Sequence, residues 1–558
     1  MKNTLTKSLL ATLLLLSSSS VFSDPIEGYV SDFSVMPGDS IAVYASTSSA
    51  SYDIDVYRID EQNTLLASDT VISGLLQPTP ENAWIDGAGW TSPYHLSIPT
   101  DWQSGIYEID LRTNDEVHTL NFIVKASNPG STSGILLLDN ATTKMAYNKW
   151  GGKSLYGFNS SDNEKSSLVT YSRPKQNGSS VKEIRFARWA DAVGVATEHA
   201  SVMDLHRDPT LLQNYQVLVV AGHSEYWTKE MRQNYDNFVA AGGHVAMLSG
   251  NTMWWQVRLE EDHMVCYKDA ESDPLFGIDD SVVTTNFSLP PVNHIENSSI
   301  GLSFRNGGYV NYNDILPASE GYGGYTITDA AHPFLSGTGL LDGDVLGQES
   351  TIVGYETDGA LVEWADDKPV VTGEDGTPTN FKILGYSEAS LGIALMGTFD
   401  SGSDGGGGGG YSGGGKVFSG ASVDFVDGLW WPAQSVIPEP LVSKIMLNVL
   451  STFAPNSTAS CANNTALVDS DEDGIKDACD NCVLIQNPGQ LDSDSDLTGD
   501  MCDASNDSTD NGDSPDVPTP GTPTPAPDNN GDSGGGSTGF LLILLWPMVF
   551  FRHEKFQK

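Results

Sequence analysis

At 558 residues the chain is longer than one hydrophobic core usually serves, so several domains are expected. Apolar residues make up 39% and aromatics 9%, with 57 Gly and 28 Pro, which excludes both a multi-span membrane protein and a wholly disordered chain. Lys and Arg number 28 against 73 Asp and Glu, a formal charge of -45; such a chain repels nucleic acid and anionic membranes and favours divalent cations.

Residues 1–23 carry Lys2 and Lys7, an apolar run from Leu9 to Leu16 and a small-residue exit at Val21-Phe22-Ser23. This reads as a secretory signal peptide cut before Asp24, since the apolar core falls short of the roughly 20 residues of a spanning helix. From 24 to 126, runs such as Ser40-Ile41-Ala42-Val43-Tyr44 and Tyr52-Asp53-Ile54-Asp55-Val56-Tyr57 alternate polar and apolar side chains between Gly, Pro, Ser and Asn turns. A β-sandwich domain is expected there.

Beyond a Ser/Gly/Pro linker the pattern changes. Ile135–Leu138, Val217–Val220 and Val245–Leu248 are continuous apolar runs, as in strands covered on both faces. Phe186, Trp189, Ala190 and Val193, and then Met231, Tyr235, Phe238 and Val239, fall at helical spacing. Strands alternating with amphipathic helices predict a central α/β domain over 134–453 with a doubly wound parallel sheet, closed by strand 416–421 and a final helix from Pro440 to Phe453. Gly405–Gly410 reads as a loop.

The chain then turns acidic. Asp469, Asp471, Asp473, Gly474, Asp477 and Asp480 occupy positions 1, 3, 5, 6, 9 and 12 of a loop whose alternating carboxylates suit calcium, the glycine permitting the sharp turn. Asp492, Asp494, Asp496, Asp500 and Asp503 repeat the spacing, with Leu497 where the glycine would stand. Together with Cys479, Asn481-Cys482, Asn487-Pro488, Gln490 and Cys502, residues 461–503 resemble thrombospondin type 3 calcium-binding repeats. Cys461, Cys479, Cys482 and Cys502 suggest disulfides of an oxidising compartment; of the three pairings open to them, Cys461–Cys479 with Cys482–Cys502 is favoured. Cys266 stands apart and reads as a buried thiol.

Residues 504–533 are a Pro/Asp/Gly-rich linker, an extended, disordered stalk by composition. In 534–558, Gly534-Gly535-Gly536 precedes an apolar stretch from Phe540 to Phe551 and a basic end at Arg552, His553 and Lys555. This resembles the GlyGly-CTERM sorting signal of Gram-negative bacteria. The resemblance implies membrane contact only through this anchor, removal by a rhomboid-type sorting protease, and display on the cell surface or outer envelope; an ordinary C-terminal anchor is the alternative.

Chemistry is expected in loops following the strands of the α/β domain, where polar side chains cost no core. These hold His223-Ser224-Glu225-Tyr226-Trp227, Asn251 after Gly250, Asp204 to Pro209, and Tyr147 to Gly152. With Met264–Asp269 and Val417–Gly428, these stretches resemble the C-terminal domain of the N,N-dimethylformamidase large (beta) subunit family. That resemblance, over about 24–453, implies a glutamine-amidotransferase-like (flavodoxin-like) fold, amide hydrolysis, and ferric iron held by two tyrosines and a glutamate. Tyr226 matches one tyrosine; the other position reads Ile184-Arg185-Phe186, and Glu356 is the candidate glutamate.

From the residues themselves, Glu225 or His223 suits a general base on water, and a metal at Tyr226 would polarise a carbonyl. Asp204 and Asn251 complete the candidate catalytic set. Each has a bland alternative: helix or loop capping for His223, Asp204 and Asp208, and packing for Tyr226 and Trp227. Gly-x-Ser-x-Gly occurs only within glycine-rich stretches such as Gly410-Tyr411-Ser412-Gly413-Gly414, none following an apolar strand run as a nucleophile elbow does, and no His-Glu-x-x-His helix is present. Two functions are therefore expected, in order: a secreted, surface-anchored hydrolase of a small amide or other polar substrate, or a non-catalytic adhesion or glycan-binding protein.

Overall fold

The structure, a computed structural model, describes residues 26–60, 62–174, 181–310, 323–402, 414–429, 439–455, 469–477, 479–493 and 497–503. The signal-peptide segment, Gly405–Gly410, Cys461, Asp494, Asp496, the linker 504–533 and the tail 534–558 lie outside them. The described residues belong to one compact unit, residues 1–507. It is multi-sheet and mostly β, with few helices. Among the described residues no helix is long and apolar enough to cross a membrane.

The alternating runs of the first hundred residues form two sheets. Ile26–Val30, Ser40–Thr47 and Tyr94–Ser97 make one; Ser34–Val35, Val117–Val124, Gly105–Arg112, Ser51–Arg58 and Thr64–Ser73 make the other. Every second side chain points inward, so Ile41 and Val43 of the first sheet share one apolar core with Ile54, Val56, Ile109 and Leu111 of the second.

The central sheet is built on Ile135–Asp139, flanked in parallel by Glu198–Ser201 and Val217–His223, then by His244–Gly250 and Lys416–Ser419. Ile135–Leu138, Val217–Val220 and Val245–Leu248 are apolar because both faces are covered. Ile135, Leu137, Val217 and Val219 pack with Phe186 and Trp189 of the helix Val181–Ala192 on one face. Their neighbours Leu136, Leu138, Leu218 and Val220 pack with Met231, Tyr235 and Phe238 of the helix Lys229–Ala240 on the other. The helix Pro440–Phe453 joins the first face.

The sheet departs from an all-parallel one beyond Lys416–Ser419. Gly392–Asp400, Lys382–Ala389, Tyr325–Ile327 and Val345–Leu346 continue it antiparallel. For one of these pairs connection length explains it: only Ser390 and Leu391 separate Lys382–Ala389 from Gly392–Asp400, and a parallel crossover needs about a dozen residues or more. Tyr355–Gly359 pairs with Gly392–Asp400 and with Ser303–Val310, again antiparallel.

The acidic segment rests on this body. Lys444 of the final helix donates Nζ to the carbonyls of Asp480 at 2.6 Å and Asp477 at 3.4 Å, and Val483 donates its amide to Gly337. Cys482 is disulfide-bonded to Cys502. Cys479 is also in a disulfide; Cys461, its expected partner, lies outside the described residues.

Candidate active site

His223 ends its strand directly opposite Gly250, the last residue of the neighbouring parallel strand. A Cβ on Gly250 would sit 2.0 Å from the Glu356 carbonyl oxygen, so glycine is what lets the strand Tyr355–Gly359 lie against this sheet end. Asn251 follows in the left-handed region, φ 51°, and donates Nδ2 to Glu356 Oε2 at 3.2 Å.

The loop after His223 is fixed by the short helix Ala141–Tyr147. Thr143 Oγ1 accepts the Glu225 amide at 3.0 Å, and Thr142 Oγ1 donates to the Tyr226 carbonyl at 2.6 Å. The same helix ends in Tyr147, whose hydroxyl donates to Glu225 Oε2 at 2.8 Å; Tyr156 donates to Oε1 at 2.6 Å. On the other side His223 Nε2 lies 2.7 Å from Glu356 Oε2 and 3.5 Å from Glu225 Oε2, while Nδ1 is 3.1 Å from the Tyr355 hydroxyl.

Burial raises the Glu225 carboxyl above the usual carboxylate range, with His223 opposing. For His223 burial disfavours the imidazolium, but the hydrogen bond and charge of Glu356, reinforced by Glu225, overcome it and its pKa is raised. Lys268 supplies a second cation. Its Nζ is buried with no hydrogen-bond acceptor among the described residues, 3.1 Å from the ring centroid of Tyr156, 4.9 Å from that of Trp255 and 5.2 Å from that of Tyr226. Burial brings this ammonium down to about 8 against the pull of Glu225. Two carboxyl groups, an imidazole, an ammonium and several phenols thus share one cluster, in which the His223 side chain keeps 16% exposure and that of Glu225 2%.

Of the residues expected from sequence, His223, Glu225, Asn251 and Glu356 meet here. Tyr226 is fully buried against the cluster, edge-on to Tyr147 and Tyr156, and its hydroxyl has no hydrogen-bond partner among the described residues. Asp204 does not join them. It closes a capping box with Ser201 at the start of the helix Val202–Arg207 and pairs with Lys125 at 2.7 Å. Asp208 caps its own loop through Thr210. Burial pushes the Cys266 thiol up to about 12, which suits packing and not nucleophilic attack. Tyr147, Tyr156, Tyr355 and Lys268 were not singled out as site residues by sequence reasoning, although the first lies in the aromatic loop noted there.

The residues fit the implied iron set incompletely. Where the second tyrosine would stand, Phe186 is buried in the apolar core, Ile184 packs on that core and Arg185 pairs with Asp427. Glu356 is engaged by His223 and Asn251.

In the acidic segment, Asp469, Asp471 and Asp473 bring carboxylate oxygens within 4.8 Å of one another, the one such grouping of His, Cys, Asp and Glu among the described residues. The second register copies the first. Ser470 donates its amide and hydroxyl to Asp477 at 2.7 and 2.6 Å, and Ser493 does the same to Asp500 at 2.7 Å for both. Gly474 has φ 93° and Leu497 has φ 75°, so the leucine takes the glycine's conformation as well as its place. Asp480 binds the Cys482 amide, and Asp492 accepts from the Leu497 amide.

Comparison with known proteins gives one informative match. No curated protein matches the chain. Among solved structures, Escherichia coli alpha-2-macroglobulin activated by porcine elastase is 11% identical over 20% of this chain and 9% of its own, with a TM-score of 0.14. The Dpr2 Ig1-Ig2 complex with DIP-Theta Ig1-Ig3 is 14% identical over 21% and 41%, TM-score 0.13; the beta-D-glucuronidase of Dictyoglomus thermophilum is 10% identical over 40% and 43%, TM-score 0.12. The chain spans less than half the length of each, and likeness this slight says nothing of fold or activity. The family match instead runs through residues 53–435, more than half of the chain, and includes every residue of the cluster described above: the chain belongs to the N,N-dimethylformamidase beta subunit-like, C-terminal family.

Proposed function

We propose that the His223 cluster hydrolyses a C–N amide bond of a small polar substrate. The observation that carries this reading is His223 Nε2 placed between two carboxylates, 2.7 Å from Glu356 and 3.5 Å from Glu225. The raised pKa of His223 makes it a proton donor near neutrality, and Glu356 and Tyr355 hold the ring in place. Glu225 accepts a proton as water attacks the carbonyl carbon, and the Lys268 ammonium offsets the charge developing on the carbonyl oxygen. The C–N bond breaks as His223 protonates the departing amine; Glu225 then returns its proton to His223 across the 3.5 Å separation. One water is consumed, and a carboxylic acid and an amine are released. The iron of the family would add Lewis acidity if Tyr226 and Glu356 held it.

The same reading takes the parallel strands as a glutamine-amidotransferase-like (flavodoxin-like) core. It takes the acidic segment as thrombospondin type 3 repeats that bind calcium through Asp469, Asp471 and Asp473. The signal-peptide and sorting-tail patterns support secretion and display at the cell surface. The test is metal analysis of the purified protein with amine release from an amide panel, for wild type and Tyr226→Phe. Amine release supports the hydrolase; iron lost with the phenol adds the metal to it. A protein that turns over no amide, with or without iron, is a binding or adhesion protein instead.

A further inference from the structure

A cavity of about 420 Å³ opens at the junction of the N-terminal sheets and the central domain, away from the His223 cluster. Its walls come from both sides and from the linker: Arg58, Trp102 and Gln103 from the first, Asn128 from the linker, Asp191 and His199 from the second.

Two of these residues carry polar atoms that the protein leaves unanswered. Arg58 Nε is buried and has no hydrogen-bond partner among the described residues, and the guanidinium makes no ion pair there. Its position depends on Gly105, where a Cβ would sit 3.3 Å from that nitrogen. His199 is buried, with Nδ1 equally without a partner among the described residues, while Nε2 lies 3.1 Å from the Thr197 hydroxyl. Burial, reinforced by the charge of Arg58, holds its pKa down to about 3, so the ring is a neutral hydrogen-bonding group at any physiological pH. Buried polar atoms without partners are rare, and these two belong to side chains that line one cavity, where the Arg58 guanidinium is left without an anion among the described residues.

The other walls narrow the chemistry. Trp102 is stacked on Tyr107, centroids 4.8 Å apart and planes at 13°, which fixes the indole as a rigid apolar platform. Gln103, Asn128 and Asp191 are exposed on the rim and offer amides and a carboxylate to hydroxyl groups. One guanidinium suits one carboxylate; Asp191 disfavours a dianion such as a phosphate monoester. With a net charge of -45 the chain does not draw anions from a distance, so recognition has to come from contact.

We infer that this junction cavity binds an acidic sugar, a hexuronate whose carboxylate meets Arg58, whose ring lies on Trp102 and whose hydroxyls meet the rim. The site is independent of the amide-hydrolase reading.

Titration calorimetry of the full chain with D-galacturonate, D-galactose and propionate tests it. Saturable galacturonate binding is expected, weaker by about tenfold or more in Arg58→Gln and for both galactose and propionate. Absence of saturable galacturonate binding overturns the inference, as does wild-type affinity in a folded Arg58→Gln protein. Galactose or propionate binding as tightly as galacturonate also overturns it. Should Arg58→Gln not fold, Asn128→Asp, a surface change that brings a negative charge to the rim, replaces it: galacturonate affinity falls if the inference holds and is unchanged if it does not.

Discussion

Glu356 Oε2 lies 2.7 Å from His223 Nε2 and accepts from Asn251 Nδ2 at 3.2 Å, so one carboxylate from an antiparallel strand ties together the ends of two parallel ones. If that carboxylate sustains the charge on His223, Glu356→Gln lowers kcat by about a hundredfold with little change in KM, because the lost group acts on proton transfer and not on binding. Steady-state kinetics on the best amide substrate checks this.

Tyr156 lowers the pKa of Glu225 by donating to its ionised form at 2.6 Å. In Tyr156→Phe the effect of burial is less opposed and the carboxyl pKa rises further. Activity that needs ionised Glu225 is then lost at a higher pH on the acid side, and a pH–rate profile shows its acid limb displaced upward.

Lys268 separates function from stability. Its ammonium is buried on three aromatic rings without a hydrogen-bond acceptor among the described residues, a costly state for a charge. Lys268→Met is expected to lose activity by about a hundredfold or more while melting no lower than wild type, because an unpaired buried charge has been exchanged for an apolar chain of similar length. A fall in both would make the lysine structural.

In the acidic segment Leu497 adopts φ 75°, a conformation that costs a non-glycine residue about 1–2 kcal/mol. Leu497→Gly removes that strain at some cost in chain entropy, so a net gain of about 0.5–1 kcal/mol in the segment's stability is expected. Calcium is expected to raise the same transition and a chelator to lower it, since Asp469, Asp471 and Asp473 repel one another without a cation. Calorimetry with and without calcium reads both effects.

His199 sets an acid limit on the fold. Its folded pKa, about 3, lies below the unfolded value near 6.5, so between these values the unfolded chain binds the extra proton. Its contribution is fully present above about pH 6.5 and is lost as pH falls toward 3, amounting to a few kcal/mol, roughly, at the lower end. Denaturant midpoints from pH 7 to 4 are expected to decline less in His199→Gln than in wild type.

Much of the core was legible because burial on both faces leaves a one-dimensional trace. Val217–Val220 is uniformly apolar since Val217 and Val219 face one helix layer and Leu218 and Val220 the other. The antiparallel extension was not, because hairpin strands such as Gly392–Asp400 have no helical interval to announce direction. Within the site, His223, Glu225 and Asn251 stood out as polar residues directly after apolar runs. Asp204 had the same look, yet Ser201 three residues before it spells a capping box, a local signal that outweighs the catalytic reading. Lys268 left no trace: in Cys266-Tyr267-Lys268-Asp269 it reads as a surface charge, and only tertiary packing brings it over Tyr156 and Trp255.

The most direct measurement is amine release from a panel of small amides by the purified chain, wild type beside Glu356→Gln of matching circular dichroism. The account predicts turnover of at least one amide by wild type, reduced about a hundredfold by the substitution. No turnover of any amide, or equal turnover by both proteins, would contradict it.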